Sequence, residues 1–372
     1  MIYLDHAATT YPHEAVVEAM DPSFDTYYRN PSASYATEEA DAVDDARRSV
    51  ADLLGADPET VVFTGGGSEA DNLALKGALD GSDGDHVVTT TIEHDAILET
   101  CEWLEARGGS VTRVSPGPDG QVDPTDVEDA IRSDTAIVSI MHANNETGVI
   151  QPLDAIGEIT ADHDVLFHSD TVQSAGKIPI DVDDLGLDLA SLSAHKFYGP
   201  KGVGALYVRD GVELEPLIHG GGQERGRRSG TENVPGIVGM GAAADLAIGD
   251  LERQRARLTA LREDLVETIR DETDGSLLGH SSHRLPGYAM VGFPGASGAD
   301  LVRAFADRDV AVSSGSACHA GESAPSRVLL EMGVDSDLAS GAVRLSLGRR
   351  TTDEDVRYVG THLDEILAAA TV

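Results

Sequence analysis

The chain has 372 residues, of which 41% are hydrophobic and 25% are charged, so it is long enough for about two domains with a large core. This composition excludes a disordered protein, a collagen-like fibre and a small disulfide-stapled scaffold. The 65 acidic residues outnumber the 27 basic residues and give a net charge of −38. We therefore expect no direct nucleic-acid binding, because phosphate contacts need a basic face.

The acidic charge is spread along the whole chain, and only four of the basic residues are lysines. Such a surface repels itself in dilute salt and is tolerated where salt screens the charges, so we expect a halophilic source. The N-terminus has no basic start followed by an apolar run, and no stretch reaches about 18 consecutive apolar residues. Together with only two cysteines, this predicts a cytoplasmic protein with reduced thiols and no membrane span.

Short β-branched runs alternate with helical stretches between residues 60 and 210. Strands are predicted over 61–64, 86–90, 110–114, 136–141, 164–168, 187–193 and 204–208. Helices are predicted between them, for example over 68–79 and 96–108. This rhythm predicts an α/β fold with a mostly parallel sheet of seven strands, and such sheets bind ligands at the carboxyl ends of their strands.

The pattern changes after the sheet region. A polar, glycine-rich loop is predicted over 220–236, followed by one long helix over 237–272. The remaining elements are predicted as strands over 288–293, 310–315 and 343–348, a helix over 299–309 and a closing helix. We assign a large α/β domain to 15–250 and a smaller α+β domain to 1–14 and 251–372.

A glycine turn follows the first predicted strand of the sheet and opens a helix. Gly65, Gly66 and Gly67 precede Ser68, so free backbone N–H groups and the positive end of a helix dipole would face a ligand there. This arrangement suits a phosphate, and an ordinary tight turn is the alternative. The turn has neither the GxGxxG pattern of dinucleotide sites nor the lysine of a P-loop.

Polar clusters follow five of the predicted strands. They lie at 65–68, 91–94, 142–146, 170–173 and 195–196. A single histidine or aspartate in such a place is usually structural, often as a helix cap. Because parallel strands end at the same edge of a sheet, five clusters together favour one functional site there.

Lys196 belongs to the last of these clusters. A solvated loop lysine is the simple explanation, but this chain has replaced nearly all of its lysine, so a retained one suggests chemistry that arginine cannot do. A desolvated lysine forms Schiff bases. Together with Asp170, His94 and the glycine turn, Lys196 describes a site for pyridoxal 5′-phosphate (PLP).

The two cysteines differ in their surroundings. Cys101 lies among apolar residues of a predicted helix and is expected to be buried and inert. Cys318 lies in SSGSACHAGESAPS, a run of small and polar residues that predicts an accessible thiol. An incidental surface thiol is the alternative for Cys318.

Long motifs along the chain resemble a known family. They are YLDHAATT at 3–10, SAHKFYGPKG at 193–202, HGGGQERGRRSGT at 219–231, SSGSAC at 313–318 and VRLSLGRRTT at 343–352. In these motifs the chain resembles the NifS/IscS-type cysteine desulfurases of the class V aminotransferase superfamily. The resemblance implies a PLP-dependent transferase fold of type I, with PLP as cofactor.

The resemblance also implies roles for single residues. Lys196 matches the Schiff-base lysine, and His94 matches the residue that stacks on the cofactor ring and moves protons. Asp170 matches the partner of the ring nitrogen, and Gln173 the partner of the ring hydroxyl. Phosphate-binding positions are matched by Gly67, Ser68, Ser193, His195 and, toward the phosphate of a neighbouring subunit in a homodimer, Thr231.

The activity implied is removal of sulfur from L-cysteine to give L-alanine and a persulfide on Cys318. Asn145 and Arg344 match residues that hold the substrate carboxylate, and the sulfur would pass to an iron–sulfur scaffold or a thiolation enzyme. No metal ligand is predicted. A selenocysteine lyase or an aminotransferase of the same superfamily is the nearest alternative. A non-catalytic sulfur carrier is disfavoured by the presence of Lys196 and Asp170, and a nicotinamide dehydrogenase by the absence of GxGxxG.

Overall fold

The computed structural model describes residues 1–81, 84–314 and 325–370. The strands β1 to β12 are, in chain order, Ile2–Tyr3, Val61–Thr64, His86–Thr90, Ser110–Val114, Thr135–Ser139, Leu166–Asp170, Leu189–Ser193, Gly204–Val208, Ser276–Leu277, Tyr288–Gly292, Val310–Ala311 and Ala342–Ser346. The helices α1 to α12 are Glu14–Met20, Pro22–Asp25, Thr37–Asp52, Gly67–Asp80, Asp95–Glu105, Pro124–Ala130, Leu153–Asp162, Val234–Glu272, Gly298–Ala306, Arg327–Glu331, Ser336–Ser340 and Asp353–Ala370.

Seven strands form the large sheet, in the order β2-β8-β7-β6-β5-β3-β4. Only β8 runs against its neighbours, and the pairs from β7 to β4 are all parallel. The α/β fold with a mostly parallel seven-stranded sheet is therefore confirmed. Every residue of β2, β3, β7 and β8 is buried, as expected for strands covered by helices on both faces.

One strand of this sheet lies two residues later than its sequence pattern predicts. The apolar run suggests 164–168, whereas β6 covers Leu166–Asp170. Val165 still donates its N–H to the carbonyl of Thr160, and Asp164 has a φ of 55°, because the chain is completing the end of α7 at this point. Asp170 is consequently the last residue of the strand and is held by it.

The second part of the fold has smaller sheets. β10 pairs antiparallel with both β12 and β9, while β1 from the N-terminus pairs parallel with β11. Of the strand predicted over 310–315, the described residues 310–314 form a strand only at Val310–Ala311. A separate apolar cluster fills this region, where residues of β10, β12 and α9 pack against α12 and the C-terminal part of α8.

Helix α8 spans 39 residues and links the two apolar regions. It begins three residues before the predicted start, because Asn233 caps it by accepting a hydrogen bond from the N–H of Gly236. Its apolar N-terminal part is long enough to cross a membrane, with a mean hydropathy of 1.3, yet half of that window is buried inside the protein. Met240, Ala243 and Ala244 pack there with residues of α3, as in a core helix.

The buried Glu224 carboxylate fixes the loop between β8 and α8 to helix α3, by an ion pair, and to strand β2 of the large sheet, by a hydrogen bond. The Glu224 carboxylate accepts hydrogen bonds from Arg47 at 2.8 and 3.0 Å and from the N–H of Phe63 at 2.9 Å. Since breaking a buried pair leaves an uncompensated charge, this contact holds the loop firmly at the end of β2. The loop carries the predicted Thr231.

Candidate active site

A cavity of about 660 Å³ lies at the carboxyl edge of the large sheet. The cavity is lined by nine of the predicted site residues: Gly67, Ser68, His94, Asn145, Asp170, Gln173, Ser193, His195 and Lys196. They come from the ends of different strands that meet only in the folded chain. The expectation that the strand ends form one site agrees with this placement.

The glycine turn lies where α4 approaches the neighbouring strand ends closely. A Cβ on Gly67 would come within 2.8 Å of Val172 Cγ2, so only glycine permits this approach. The N-terminal turn of α4 lines the cavity together with Ser193, and its first N–H groups have no carbonyl partner within the helix. Glu69 in the same turn is paired with Arg228 at 2.8 Å, so its negative charge is balanced next to a possible anion. This end of the cavity suits a phosphate.

Lys196 closes a short 3-10 turn that follows β7. Its Nζ donates hydrogen bonds to the backbone carbonyls of Ala7, at 2.7 Å, and Ala8, at 2.9 Å. The N-terminal segment thus holds the amine at the cavity. The neighbouring His195 ring lies 3.0 Å from Thr9 Oγ1, and burial and nearby lysines lower its pKa to about 4, so the ring is neutral.

Three buried carboxyl groups lie at or near the cavity. Burial raises the pKa of Asp170, although His94 and Lys196 oppose the shift. The pKa of Asp71 lies well above its usual range because of burial and the nearby Asp170. Burial also raises the pKa of Glu93 to about 8. A cationic group in the cavity would relieve this accumulation of acids.

His94 caps a helix and also lines the cavity. Its Nδ1 accepts a hydrogen bond from the N–H of Ala96 at 3.1 Å and so caps helix α5. In the neutral ring the proton is therefore on Nε2. The ring also lines the cavity, so capping α5 is compatible with the predicted role of His94 at the cofactor.

Gln173 is oriented by residues far away in the chain. Its Nε2 donates to the carbonyl of Ala7 at 3.2 Å, while its Oε1 accepts a hydrogen bond from the Tyr288 hydroxyl at 2.5 Å. Tyr288 lies in β10, within the second part of the fold. No motif or spacing in the sequence connects Tyr288 with the site.

Arg344 is buried on β12 and does not line the cavity itself. Its guanidinium donates to Asp5 and to the carbonyl of Asn145, each at 2.8 Å. Its Nε has no hydrogen-bond partner within residues 1–81, 84–314 and 325–370. Arg344 therefore contacts the backbone of a residue that does line the cavity.

The remaining predicted residues lie elsewhere. Thr231 is exposed and does not line the cavity of its own chain. Cys318 lies outside the described residues. Cys101 is fully buried, so the expectation of a buried cysteine is confirmed, and burial raises the pKa of its thiol to about 12, which favours an inert thiol. In the part of the chain that the structure describes, no three His, Cys, Asp or Glu side chains group as metal ligands.

Asp71 lines the cavity but is not among the site residues predicted from the sequence. Its Oδ1 is buried and finds no hydrogen-bond partner among the described residues. A signal was present, because Asp71 lies three positions after Ser68 on α4, and residues three apart share one face of a helix. The other residue that was missed, Tyr288, had no such signal.

The chain matches known proteins over nearly its whole length. The family model for Aminotransferase class-V covers residues 2–359. Cysteine desulfurase IscS of Dictyoglomus turgidum is 44% identical, over 98% of this chain and 94% of that protein. A solved structure titled NifS-like protein has a TM-score of 0.93 and 38% identity, covering 99% of both chains. Another, titled SspA in complex with cysteine, has a TM-score of 0.83 and 40% identity, covering 93% of this chain and 99% of that one.

The chain therefore belongs to the class V aminotransferase family of PLP-dependent enzymes, and within it to the cysteine desulfurases of the NifS/IscS type. The cavity fits PLP chemically. It has a helix N-terminus for the phosphate, a lysine for the aldehyde and Asp170 for the ring nitrogen. The buried Oδ1 of Asp71 has no hydrogen-bond partner among the described residues, so it remains available to a donor group of a ligand.

Proposed function

We propose that the chain removes sulfur from L-cysteine, giving L-alanine and a persulfide on Cys318. The observation that carries the proposal is the placement of Lys196, Asp170 and the turn before Ser68 around one cavity. These three features have the chemistry that the aldehyde, ring nitrogen and phosphate of PLP require.

The residues of the cavity would hold the cofactor as follows. Asp170 would pair with the protonated ring nitrogen, and the Gln173 amide would donate to the ring oxygen. The first turn of α4 with Ser68, Ser193 and His195 would bind the phosphate. When bound, PLP supplies an electron sink for the charge that develops at the substrate Cα.

Lys196 would act as the general base. Its amine lies between the carbonyls of Ala7 and Ala8, both of which accept hydrogen bonds from it. A neutral amine held in this way has a lone pair available for the Cα proton of the substrate. The Nε2–H of His94, which lines the same cavity, would donate a hydrogen bond to a bound group, because Nδ1 is occupied by the helix cap.

Arg344 and Asn145 would hold the substrate carboxylate. The guanidinium is buried, and its Nε has no partner among the described residues, so a carboxylate could pair with it. Asp5 already occupies one Nη of Arg344. The substrate carboxylate would therefore bind Arg344 beside Asp5 or displace Asp5 from it. Binding of the carboxylate should for this reason depend strongly on the geometry of the cationic group at position 344.

Cys318 would accept the sulfur. Its thiolate attacks the substrate sulfur, the carbon–sulfur bond breaks, and the new sulfur–sulfur bond forms the persulfide. The electron pair of the broken bond stays on carbon, which takes up a proton, so the substrate becomes L-alanine. The persulfide would then pass its outer sulfur to an acceptor thiol of an iron–sulfur scaffold or a thiolation enzyme.

We propose that the active form is a homodimer in which Thr231 reaches the cavity of the second copy. Thr231 is exposed, and the loop around it contacts a segment with apolar surface: Ser32 hydrogen-bonds Glu232, and Tyr28 and Tyr35 nearby in sequence are 75% and 71% exposed. Exposed aromatic groups of this size favour a protein interface. Sedimentation velocity tests this, and a monomer that is fully active would contradict it.

We also propose that the enzyme works in a salt-rich cytoplasm, with a domain boundary near residue 250. The net charge of −38 supports the salt-rich cytoplasm, and the separate apolar clusters at the two ends of α8 support the domain boundary. An unfolding temperature that rises strongly with KCl is expected, since salt screens the acidic surface. Equal stability in dilute and concentrated KCl would contradict a halophilic adaptation.

The deciding experiment is an alanine assay with L-cysteine in concentrated KCl and a thiol reductant. The PLP-loaded protein is expected to release alanine and sulfide in equal amounts. Cys318→Ser should keep the visible absorption of the bound cofactor and lose persulfide formation, while Cys101→Ser serves as the matched control. Alanine release by Cys318→Ser at the normal rate would contradict the role of Cys318. Turnover of selenocysteine alone, or amino transfer to a keto acid, would favour the alternatives.

A further inference from the structure

Tyr288 lies in an unusual place for a tyrosine. It is one of the largest fully buried side chains in the described residues, and it comes from β10 in the second part of the fold. Its ring packs with Ala7 and Ala143. Gly148, with a φ of +75°, makes room for it, because a Cβ at this position would overlap the Tyr288 side chain. The fold thus accommodates a bulky ring beside the cavity.

The hydroxyl of this buried ring is directed at the cofactor site. It donates to Gln173 Oε1 at 2.5 Å. The opposite end of the same amide, Nε2, donates to the Ala7 carbonyl at 3.2 Å. Since a carbonyl can only accept, the Gln173 nitrogen must face Ala7, and the oxygen must face Tyr288. The amide has one orientation, and its second N–H remains for a ligand in the cavity.

We propose that Tyr288 is a positioning residue for the cofactor, since its hydrogen bond fixes and polarises the Gln173 amide that donates to the ring oxygen of PLP. This inference rests on the proposed function, because it requires PLP in the cavity. A hydrogen bond received by the amide oxygen strengthens the N–H groups of the same amide as donors. Tyr288 thereby links the second part of the fold to the electronic state of the cofactor.

Other charged groups face the same ring and belong to its electrostatic surroundings. Lys177 Nζ lies 5.9 Å from the ring centroid and donates to the backbone carbonyl of Gln173 at 2.7 Å. Burial raises the pKa of the Tyr288 hydroxyl, Arg344 opposes this shift, and Asp5 adds to it. Removal of the hydroxyl alone leaves these charges in place, so Tyr288→Phe isolates the hydrogen bond.

The test is a spectroscopic pH titration of the PLP-loaded Tyr288→Phe enzyme. With PLP bound, a weaker Gln173 donor would leave more negative charge on the ring oxygen and would favour the protonated form of the group that Lys196 makes with the cofactor aldehyde. We expect the midpoint of the visible absorption change to move to higher pH, and the PLP dissociation constant of the apoprotein to rise roughly threefold or more. Tyr207→Phe, a buried tyrosine of β8, is the matched control and should change neither value.

A double variant separates positioning from a structural role. If Tyr288 acts through Gln173, Tyr288→Phe should change neither the midpoint nor PLP affinity once Gln173 is already leucine. The same change in both backgrounds, or an unchanged midpoint with only a lower unfolding temperature, would overturn the inference. A wild-type protein without any visible cofactor band would instead overturn the proposed function, so the two failures are distinguishable.

Discussion

The two sides of the site are built differently. On one side, Asp170, Gln173 and Lys196 lie at or just beyond the ends of adjacent strands of one sheet. On the other side, Ala7 and Tyr288 contact Gln173 from 166 and 115 residues away in the chain. The strand-end side follows from local sequence patterns, whereas the distant side depends on how the second part of the fold packs against the first. The strand-end side carries the reactive groups, and the distant side sets the orientation of Gln173 among them.

Loss of Lys196 should have the largest effect, because its amine is proposed both to bind the cofactor aldehyde and to act as the general base. In Lys196→Ala we expect no visible cofactor band and no detectable turnover. Lys76→Ala is the matched control, since Lys76 Nζ lies over the ring of Trp103, 4.2 Å from its centroid, and away from the cavity. A band and turnover that persist in Lys196→Ala would mean that the cofactor is held by a different residue.

Arg344→Lys tests the distant side. We expect the KM for L-cysteine to rise roughly tenfold or more with a smaller fall in kcat, because an ammonium cannot pair with Asn145, Asp5 and a carboxylate in the planar geometry of a guanidinium. Steady-state kinetics measures this. Arg303→Lys, on an exposed face of α9, is the control and should leave KM unchanged. An unchanged KM in Arg344→Lys would remove Arg344 from substrate binding.

The difference between the strand-end side and the distant side of the site explains which parts of it could be predicted from the sequence. The strands at 61–64, 86–90, 110–114 and 204–208 lie where their apolar runs predict them, and their ends bring the polar clusters together. The contact between Tyr288 and Gln173 could not be predicted, because strand alternation explains a buried tyrosine equally well as a core residue. The position of Asp170 within β6 was also missed, since the pattern does not show that α7 ends with a left-handed residue at Asp164.

The packing of the distant side can be broken at one glycine. Gly148→Ala would place a Cβ against Tyr288 at a φ of +75°, so we expect a loss of about 2 kcal/mol or more in the free energy of unfolding. Gly249→Ala, in α8 with no atom near the added Cβ, should instead stabilise the protein by roughly 1 kcal/mol. Urea unfolding measures both changes. Equal effects of the two substitutions would show that the residues around Tyr288 accommodate the added Cβ without any loss in the free energy of unfolding.

Glu93 gives the smallest effect and tests the strand-end side. The folded protein keeps a proton on this buried carboxyl up to about pH 8, whereas the usual value is 4.5. Between these values the folded state binds more protons than the unfolded chain, so this group makes stability fall as pH rises through the window. Glu93→Gln resembles the protonated acid and cannot titrate. Its free energy of unfolding should therefore match the wild type at about pH 5 and exceed it by about 1 kcal/mol or more at about pH 9.

Urea unfolding at both pH values measures this difference, with the exposed Glu365→Gln as a control that should follow the wild type at each. A Glu93→Gln curve parallel to that of the wild type would mean that Glu93 is ionised in the folded state. In that case the Thr90 hydroxyl and the Met141 N–H, which donate to its Oε1 at 2.8 and 3.0 Å, would be sufficient to hold a buried negative charge. The acids at the strand ends would then favour a cationic ligand more strongly than neutral carboxyl groups do.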